Sequence, residues 1–191
     1  MKWTHAAALM AFALPLQAAN YKIDVDHSNV GFKVRHLIGN VNGRFDKYEG
    51  TFIYDKTNSK IWKAMATIDA ASINTNNAKR DEHLRSEDFF DVKKFPTLKF
   101  ESTKVGEMKK SKVDLFGNLT IHGVTKPVVL LLEPMGEGKD PYGNEVASFV
   151  ATVKINRKDY GLTWNEAVET GGVLVGDDVE IALEISGYKQ K

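Results

Sequence analysis

The residues best suited to catalysis form one short run near the N-terminus. Asp26, His27 and Ser28 stand next to one another, in the order of a relay that would activate a serine nucleophile. Adjacent residues of a strand point to opposite faces, so these side chains cannot line up to pass a proton. We therefore expect a polar turn at the entry to a strand and no catalytic triad.

Other patterns that could carry chemistry are weak. The histidines beyond residue 19 are His27, His36, His83 and His122, and none has the i, i+2 or i, i+4 spacing of a local metal pair. The sequence contains no G-x-S-x-G nucleophile turn and no phosphate-binding glycine loop. Because cysteine is absent, disulfides, zinc–thiolate sites, iron–sulfur clusters and thiol nucleophiles are excluded. We predict no enzyme, no metal site and no cofactor.

Composition points to one globular domain after an export signal. The 191 residues are 42% apolar and 27% charged, which suits a folded core. A formal charge of +1 gives no broad basic surface for nucleic acid or anionic lipid. Residues 1–19 combine Lys2, an apolar run over 6–14, Pro15 and a small-residue end at Ala18 and Ala19. This layout predicts a secretory signal peptide cleaved near residue 18 or 19, followed by a domain over 20–191.

The elements that must position any site are predominantly strands. Apolar residues alternate with polar ones in about eight runs, as in the stripe of Val30, Phe32, Val34 and His36. Turn signals such as Asn42-Gly43, His122-Gly123, the glycines over 136–143 and Gly171-Gly172 separate these runs. We predict an all-β fold, either a sandwich or a closed barrel.

One segment breaks the alternation. Residues 77–90 lack Gly and Pro and follow the capping candidates Thr75 and Asn76, while Pro96 prevents continuation. The pattern predicts a single short helix, which in a barrel would cover an open end.

The predicted interior is aromatic, with small residues between the rings. Inward stripes also carry Gly50, Ala64, Ala66, Gly117 and Ala151, which leaves either a cavity for an apolar ligand or ordinary packing of large against small side chains. The candidate apolar contacts are Phe32, Val34, Phe52, Ala66, Ile68, Phe89, Phe100, Leu119, Ile121, Leu130, Phe149 and Val153. The candidate polar contacts at the mouth are His36, Asn76, Asn77 and Arg80. The alternatives are a hydrogen-bonded rim histidine for His36 and a solvated helix face for Arg80.

Five ordered blocks resemble the YceI-like family of exported, lipocalin-like bacterial proteins that bind polyisoprenoids. They are HSNVGFKVRHL over 27–37, SINTNNAKRDEHLRSEDFFDVKKFPTLKFES over 72–102, GNLTIHGVTKPV over 117–128, INRKDYGL over 155–162 and VGDDVEI over 175–181. The resemblance implies an eight-stranded antiparallel barrel with one short helix near an open end and a long apolar tunnel. It further implies a periplasmic location and binding of an amphipathic isoprenoid lipid, a polyprenyl chain or an isoprenoid quinone, without catalysis.

Two other classes of function stay open from the sequence. A filled barrel would favour a partner-binding protein for a membrane redox system. An enzyme acting on a bound lipid would need an inward acid–base pair, for which His36 is the visible candidate. Transient contact with a membrane or a membrane redox protein, and a homodimer, are further expectations.

Overall fold

The computed structural model describes residues 18–167 and 174–191. The strands are β1 Ala19–Ile23, β2 Asn29–His36, β3 Gly39–Phe45, β4 Tyr48–Tyr54, β5 Lys63–Asp69, β6 Ile73–Asn74, β7 Thr97–Val105, β8 Val113–Ile121, β9 Val124–Lys139, β10 Glu145–Asn156 and β11 Val175–Lys189. The α-helix of this part of the chain is α1 Ala78–Arg85, and short 3-10 turns occupy Val25–His27, Ser59–Ile61, Ala70–Ser72 and Arg157–Tyr160. Ala18 precedes β1 and Ala19 opens it, while the rest of the predicted signal peptide and the predicted Gly171-Gly172 turn lie outside the described residues.

The strand segments form a closed barrel of eight antiparallel strands. The hydrogen-bonded order runs β1-β4-β5-β7-β8-β9-β10-β11, and β11 returns to β1. The segments β2, β3 and β6 extend β1, β4 and β5 beyond bends, because β2 also pairs with β11, β3 with β2, and β6 with β3. The predicted all-β, eight-stranded antiparallel barrel is confirmed.

Alternation along each strand decides which side chains enter the barrel. In β8, Val113, Leu115, Gly117, Leu119 and Ile121 are all buried, while the residues between them are exposed or half-buried. Successive side chains of a strand point to opposite faces, so a period of two in the sequence becomes an apolar lining. The core therefore lies along the barrel axis.

The helix is shorter than the sequence predicts. It begins at Ala78 with Asn77 as its cap and ends at Arg85, where the Ser86 hydroxyl donates to the His83 carbonyl at 2.7 Å. Phe89 is buried beyond that point, because the chain leaves the helix to bring its ring over the barrel end. The predicted start at residue 77 is within one residue of the observed start, whereas the predicted cap at Thr75 or Asn76 and the predicted end at residue 90 are wrong. No helix in the described ranges is long and apolar enough to cross a membrane.

The first hairpin turns at a different place from the predicted one. Asn42 and Gly43 lie inside β3, whereas the chain reverses at Leu37 and Ile38. A Cβ at Gly43 would approach the Phe32 ring to 2.3 Å, a distance that no side chain tolerates. Gly43 is thus required for close packing rather than for a turn.

Candidate functional site

The main cavity lies in the middle of the barrel and is apolar on every side. Its volume is about 110 Å³, and ten of the strand segments contribute to its wall. Tyr48 and Thr51 are the wall residues with polar side chains, and no charged residue belongs to the wall. Such a cavity binds apolar groups, because a polar group entering it would lose its hydrogen bonds to water.

Aromatic rings close the end of the barrel opposite α1. The Tyr54 and Trp62 rings lie with centroids 5.0 Å apart, and the Trp62 Nε1–H donates to the Asp55 carbonyl at 2.7 Å. Further along the axis, Phe52 stacks on Tyr21 and meets Phe149 edge-on, each at 5.1 Å between centroids. These rings close the main cavity on the side away from α1.

Several inward glycines are filled by neighbouring rings rather than left as space. A Cβ at Gly117 would meet the Phe100 ring at 2.5 Å, and a Cβ at Gly187 would meet the Phe52 ring at 2.5 Å. Large and small residues therefore interdigitate at these positions, which agrees with the second of the two interpretations, ordinary packing of large against small side chains. Free volume remains instead beside Ala64 and Ala66, which both line the main cavity.

A second apolar cavity of about 110 Å³ lies between the main cavity and α1. Leu84, Phe89 and Phe90 cover it from the helical segment. The rings of Phe32 and Phe45 line both cavities, with centroids 5.8 Å apart, and separate one from the other. The barrel axis thus holds two apolar spaces with an aromatic constriction between them.

Arg157 is the charged residue in the wall of the second cavity. Its side chain is 4% exposed, and the guanidinium donates to the carbonyls of Gly176 at 2.9 Å, Trp164 at 2.8 Å and Leu162 at 2.5 Å. Asp177 lies 3.6 Å from Nη2, and its Oδ1 is buried without a hydrogen-bond partner among the described residues. Burial lowers the pKa of Arg157, and the Asp177 charge opposes that change. Arg157 fastens the segment after β10 to the start of β11.

The structure brings the predicted apolar residues together. Ten of the twelve line the main cavity, and the other two, Val34 and Phe89, line the second cavity. Their grouping follows from strand alternation for all but Phe89, which arrives from the segment after α1. Their role in binding a ligand stays a prediction.

The predicted polar mouth residues do not meet at either cavity. Asn77 caps α1 by accepting from the Arg80 backbone N–H at 3.1 Å. The Arg80 guanidinium donates to the Thr75 hydroxyl at 2.7 Å and to the Thr75 carbonyl at 2.8 Å. Asn76 is exposed at φ +59°, on a polar surface groove that Asn77 also lines. Asn77 and Arg80 therefore hold the helix in place, and His36 is half-buried beside Val175, a wall residue of the second cavity.

The polar run near the N-terminus does not form a triad. His27 Nδ1 pairs with Asp24, and the Ser28 hydroxyl donates to the Ser186 carbonyl at 3.2 Å. Ser28 thus links β11 to the bend between β1 and β2. Within the described ranges, no group of three or more His, Asp or Glu side chains could hold a metal ion.

Sequence reasoning missed two contributors to the α1 end of the barrel. Arg157 reads as a surface charge in the sequence, and only the fold reveals the ring of carbonyls around it. Trp164 packs against His83 at 4.8 Å and Phe89 at 5.1 Å between ring centroids, although it follows no strand pattern. The signal available for both was their place in the INRKDYGL block and just after it.

Comparison with known proteins gives consistent matches over the whole barrel. The YceI-like domain profile matches residues 21–187. A UPF0312 protein of Photorhabdus laumondii is 40% identical over 189 residues, covering 97% of this chain and 95% of that protein. The YceI protein of Campylobacter jejuni superposes with a TM-score of 0.72 at 28% identity, covering 100% of this chain and 99% of its own. A polyisoprenoid binding domain from Saccharophagus degradans shares the fold, with a TM-score of 0.62 at 16% identity over 91% of this chain and 100% of its own.

Proposed function

Because the chain belongs to the YceI-like family, we propose that it binds one amphipathic isoprenoid lipid inside the barrel, for transport or storage in the periplasm. The cargo is a polyprenyl chain or an isoprenoid quinone, and the protein performs no chemistry on it. Transient contact with a membrane or a membrane redox protein would load and unload the cargo. The observation that carries the proposal is the main cavity, whose wall has no charged residue and no polar side chains other than those of Tyr48 and Thr51.

The size of the two cavities sets a condition on the cargo. A cavity of 110 Å³ approaches the size that takes one benzene-sized group, so each of the two spaces accepts about one isoprene unit as it stands. At about 0.8 kcal/mol per buried carbon, two five-carbon units give a gross 8 kcal/mol. Association itself costs about 4 kcal/mol or more, so two units would be held weakly. A tightly held cargo must be longer and must displace the Phe32 and Phe45 rings.

The direction of the cargo follows from the two ends of the barrel. Tyr54 and Trp62 seal one end with apolar rings, which suits the end of a hydrocarbon tail. The other end carries Arg157, the charged wall residue, beneath the α1 cover. We place the polar head group at the α1 end, where the positive charge of Arg157 attracts a carbonyl or phosphate oxygen. The guanidinium itself already donates to the carbonyls of Gly176, Leu162 and Trp164, so its effect on the head group is electrostatic.

A chain-length series tests this proposal. Delipidated protein is titrated with quinones that share one head group and carry isoprenoid tails of increasing length, and each complex is counted by native mass spectrometry. We expect a one-to-one complex whose affinity rises with tail length until the barrel is full. A tail-free quinone bound as tightly as the long ones, or no complex at any length, would contradict the proposal and favour a filled barrel that binds a partner protein.

A further inference from the structure

The turn between β2 and β3 exposes two large apolar side chains at the tip of a hairpin. Ile38 is 103% exposed and Leu37 is 42% exposed. The turn lies directly beyond His36, which pairs with Val175 in the wall of the second cavity. An apolar tip therefore projects from the barrel end at which the second cavity lies.

The backbone of this turn is unfavourable for the residue that occupies it. Leu37 has φ +53°, a left-handed conformation that glycine adopts freely and that a branched side chain adopts only with strain. Two-residue hairpin turns select Gly, Asn or Asp for this reason. Leu37 strains the backbone of the turn, and Ile38 contributes nothing to the packing of the core. An interaction with something outside the folded chain would explain the presence of both residues.

The charge of the hairpin identifies what the tip meets. Residues 29–45 contain Lys33, Arg35 and Arg44 and no Asp or Glu. Lys33 pairs with Glu180 at 2.7 Å and Arg44 with Asp46 at 2.6 Å, both on neighbouring segments, so Arg35 is the basic residue on which the tip relies. Arg35 lies next to the tip and donates from Nε to the Leu37 carbonyl at 3.0 Å. Apolar side chains beside basic ones fit a bilayer surface with anionic head groups, because the former enter the acyl region and the latter pair with phosphates.

We propose that Leu37 and Ile38 form a membrane-insertion tip that docks the α1 end of the barrel on an anionic lipid bilayer. The tip holds the second cavity towards the acyl chains, so a lipid enters the barrel tail first and leaves it head first without crossing bulk water. The reason for docking rests on the proposed lipid-binding function, whereas the docking itself needs no cargo.

Vesicle binding without isoprenoid tests the tip separately from the cargo. The protein is mixed with vesicles of phosphatidylcholine, with or without phosphatidylglycerol, and the bound fraction is measured by flotation. We expect binding to the mixed vesicles that weakens with salt, and roughly a tenfold loss in I38N, because Ile38 no longer enters the acyl region. L37G should also lose binding while its Tm is unchanged or raised, since glycine relieves the strain at positive φ.

The turn at the other end of the barrel provides the matched control. Tyr142 is 90% exposed in the turn between β9 and β10, which is flanked by Glu137, Lys139, Asp140 and Glu145. Glu137 and Glu145 pair with Lys56 and Lys189, so this turn has no excess of basic residues. Y142N should bind mixed vesicles as the unaltered protein does. Three results would refute the membrane-insertion tip: equal losses of binding in I38N and Y142N, no loss in I38N, or no binding of the unaltered protein to mixed vesicles. None of these results would affect the conclusion on cargo binding from the quinone series.

Discussion

Filling the main cavity should stabilise the empty protein and remove its cargo. Ala66 lies on β5 opposite Gly50 and Phe100, and its methyl group faces the cavity. A66L adds three carbons there, worth about 2.4 kcal/mol at 0.8 kcal/mol for each. The cavity term gives a similar figure, because 110 Å³ at 24 cal/mol per Å³ amounts to about 2.6 kcal/mol.

These two figures set an upper bound on the gain in unfolding free energy. For a chain of this length, about 2.5 kcal/mol corresponds to a rise in Tm of about 5–10 °C, less any strain from overpacking. The assay is thermal unfolding of delipidated protein, followed by the quinone titration on the same samples. We expect A66L to have the higher Tm and to bind long-tailed quinone at least tenfold more weakly, since the tail loses about two carbons of burial.

The control places the same three carbons outside the barrel. Ala182 is exposed on the outer face of β11, between the inward residues Ile181 and Leu183. A182L should change neither the quinone affinity nor the Tm by more than a surface substitution does. If A66L keeps the full quinone affinity, or unfolds at a clearly lower Tm than A182L, the reasoning from the cavity is refuted.

Three further predictions concern the parts that hold the barrel end together. R157M should lower the unfolding free energy by about 3–5 kcal/mol in urea titrations, because it leaves buried carbonyls without hydrogen-bond donors. The control K158M, which loses an exposed ion pair, should lower the unfolding free energy by less than about 1 kcal/mol. Burial raises the pKa of Tyr160 to about 12. The unfolded chain therefore releases this proton first, near pH 10, and stability falls by up to about 2.7 kcal/mol between pH 10 and 12. Y160F should abolish that part of the fall in pH-dependent unfolding. N77A should lower the unfolding free energy by about 1 kcal/mol through the lost helix cap, with N77D close to the unaltered protein; a loss of quinone affinity in N77A at unchanged stability would restore Asn77 to the mouth of the site.

The barrel was predictable from the sequence because its physics is local and periodic. Alternation in stripes such as that of β8 selects the inward residues, and the same rule grouped ten apolar residues around one cavity. The predicted end of the helix at residue 90 was wrong because the burial of Phe89 and Phe90 competes with helix propensity. A local pattern of residues contains no information about that burial. Contacts between distant segments decide that competition.

The features that escaped prediction all depend on tertiary neighbours. Asn42-Gly43 has the residues of a hairpin turn, yet Gly43 leaves room for the Phe32 ring of the preceding strand, β2. Arg157 is buried because carbonyls from three later positions converge on it. A single sequence contains no signal for such convergence, since neither spacing nor residue type separates a buried arginine from a solvated one.

The most direct test of a lipid-filled barrel is to identify what the protein carries when a cell makes it. The chain is produced with export to a bacterial periplasm, purified without detergent and extracted for lipid mass spectrometry, with A66L prepared in parallel. The account predicts about one isoprenoid lipid for each unaltered chain and far less in A66L. An unaltered protein that yields no isoprenoid, or equal amounts of lipid from both proteins, would contradict it.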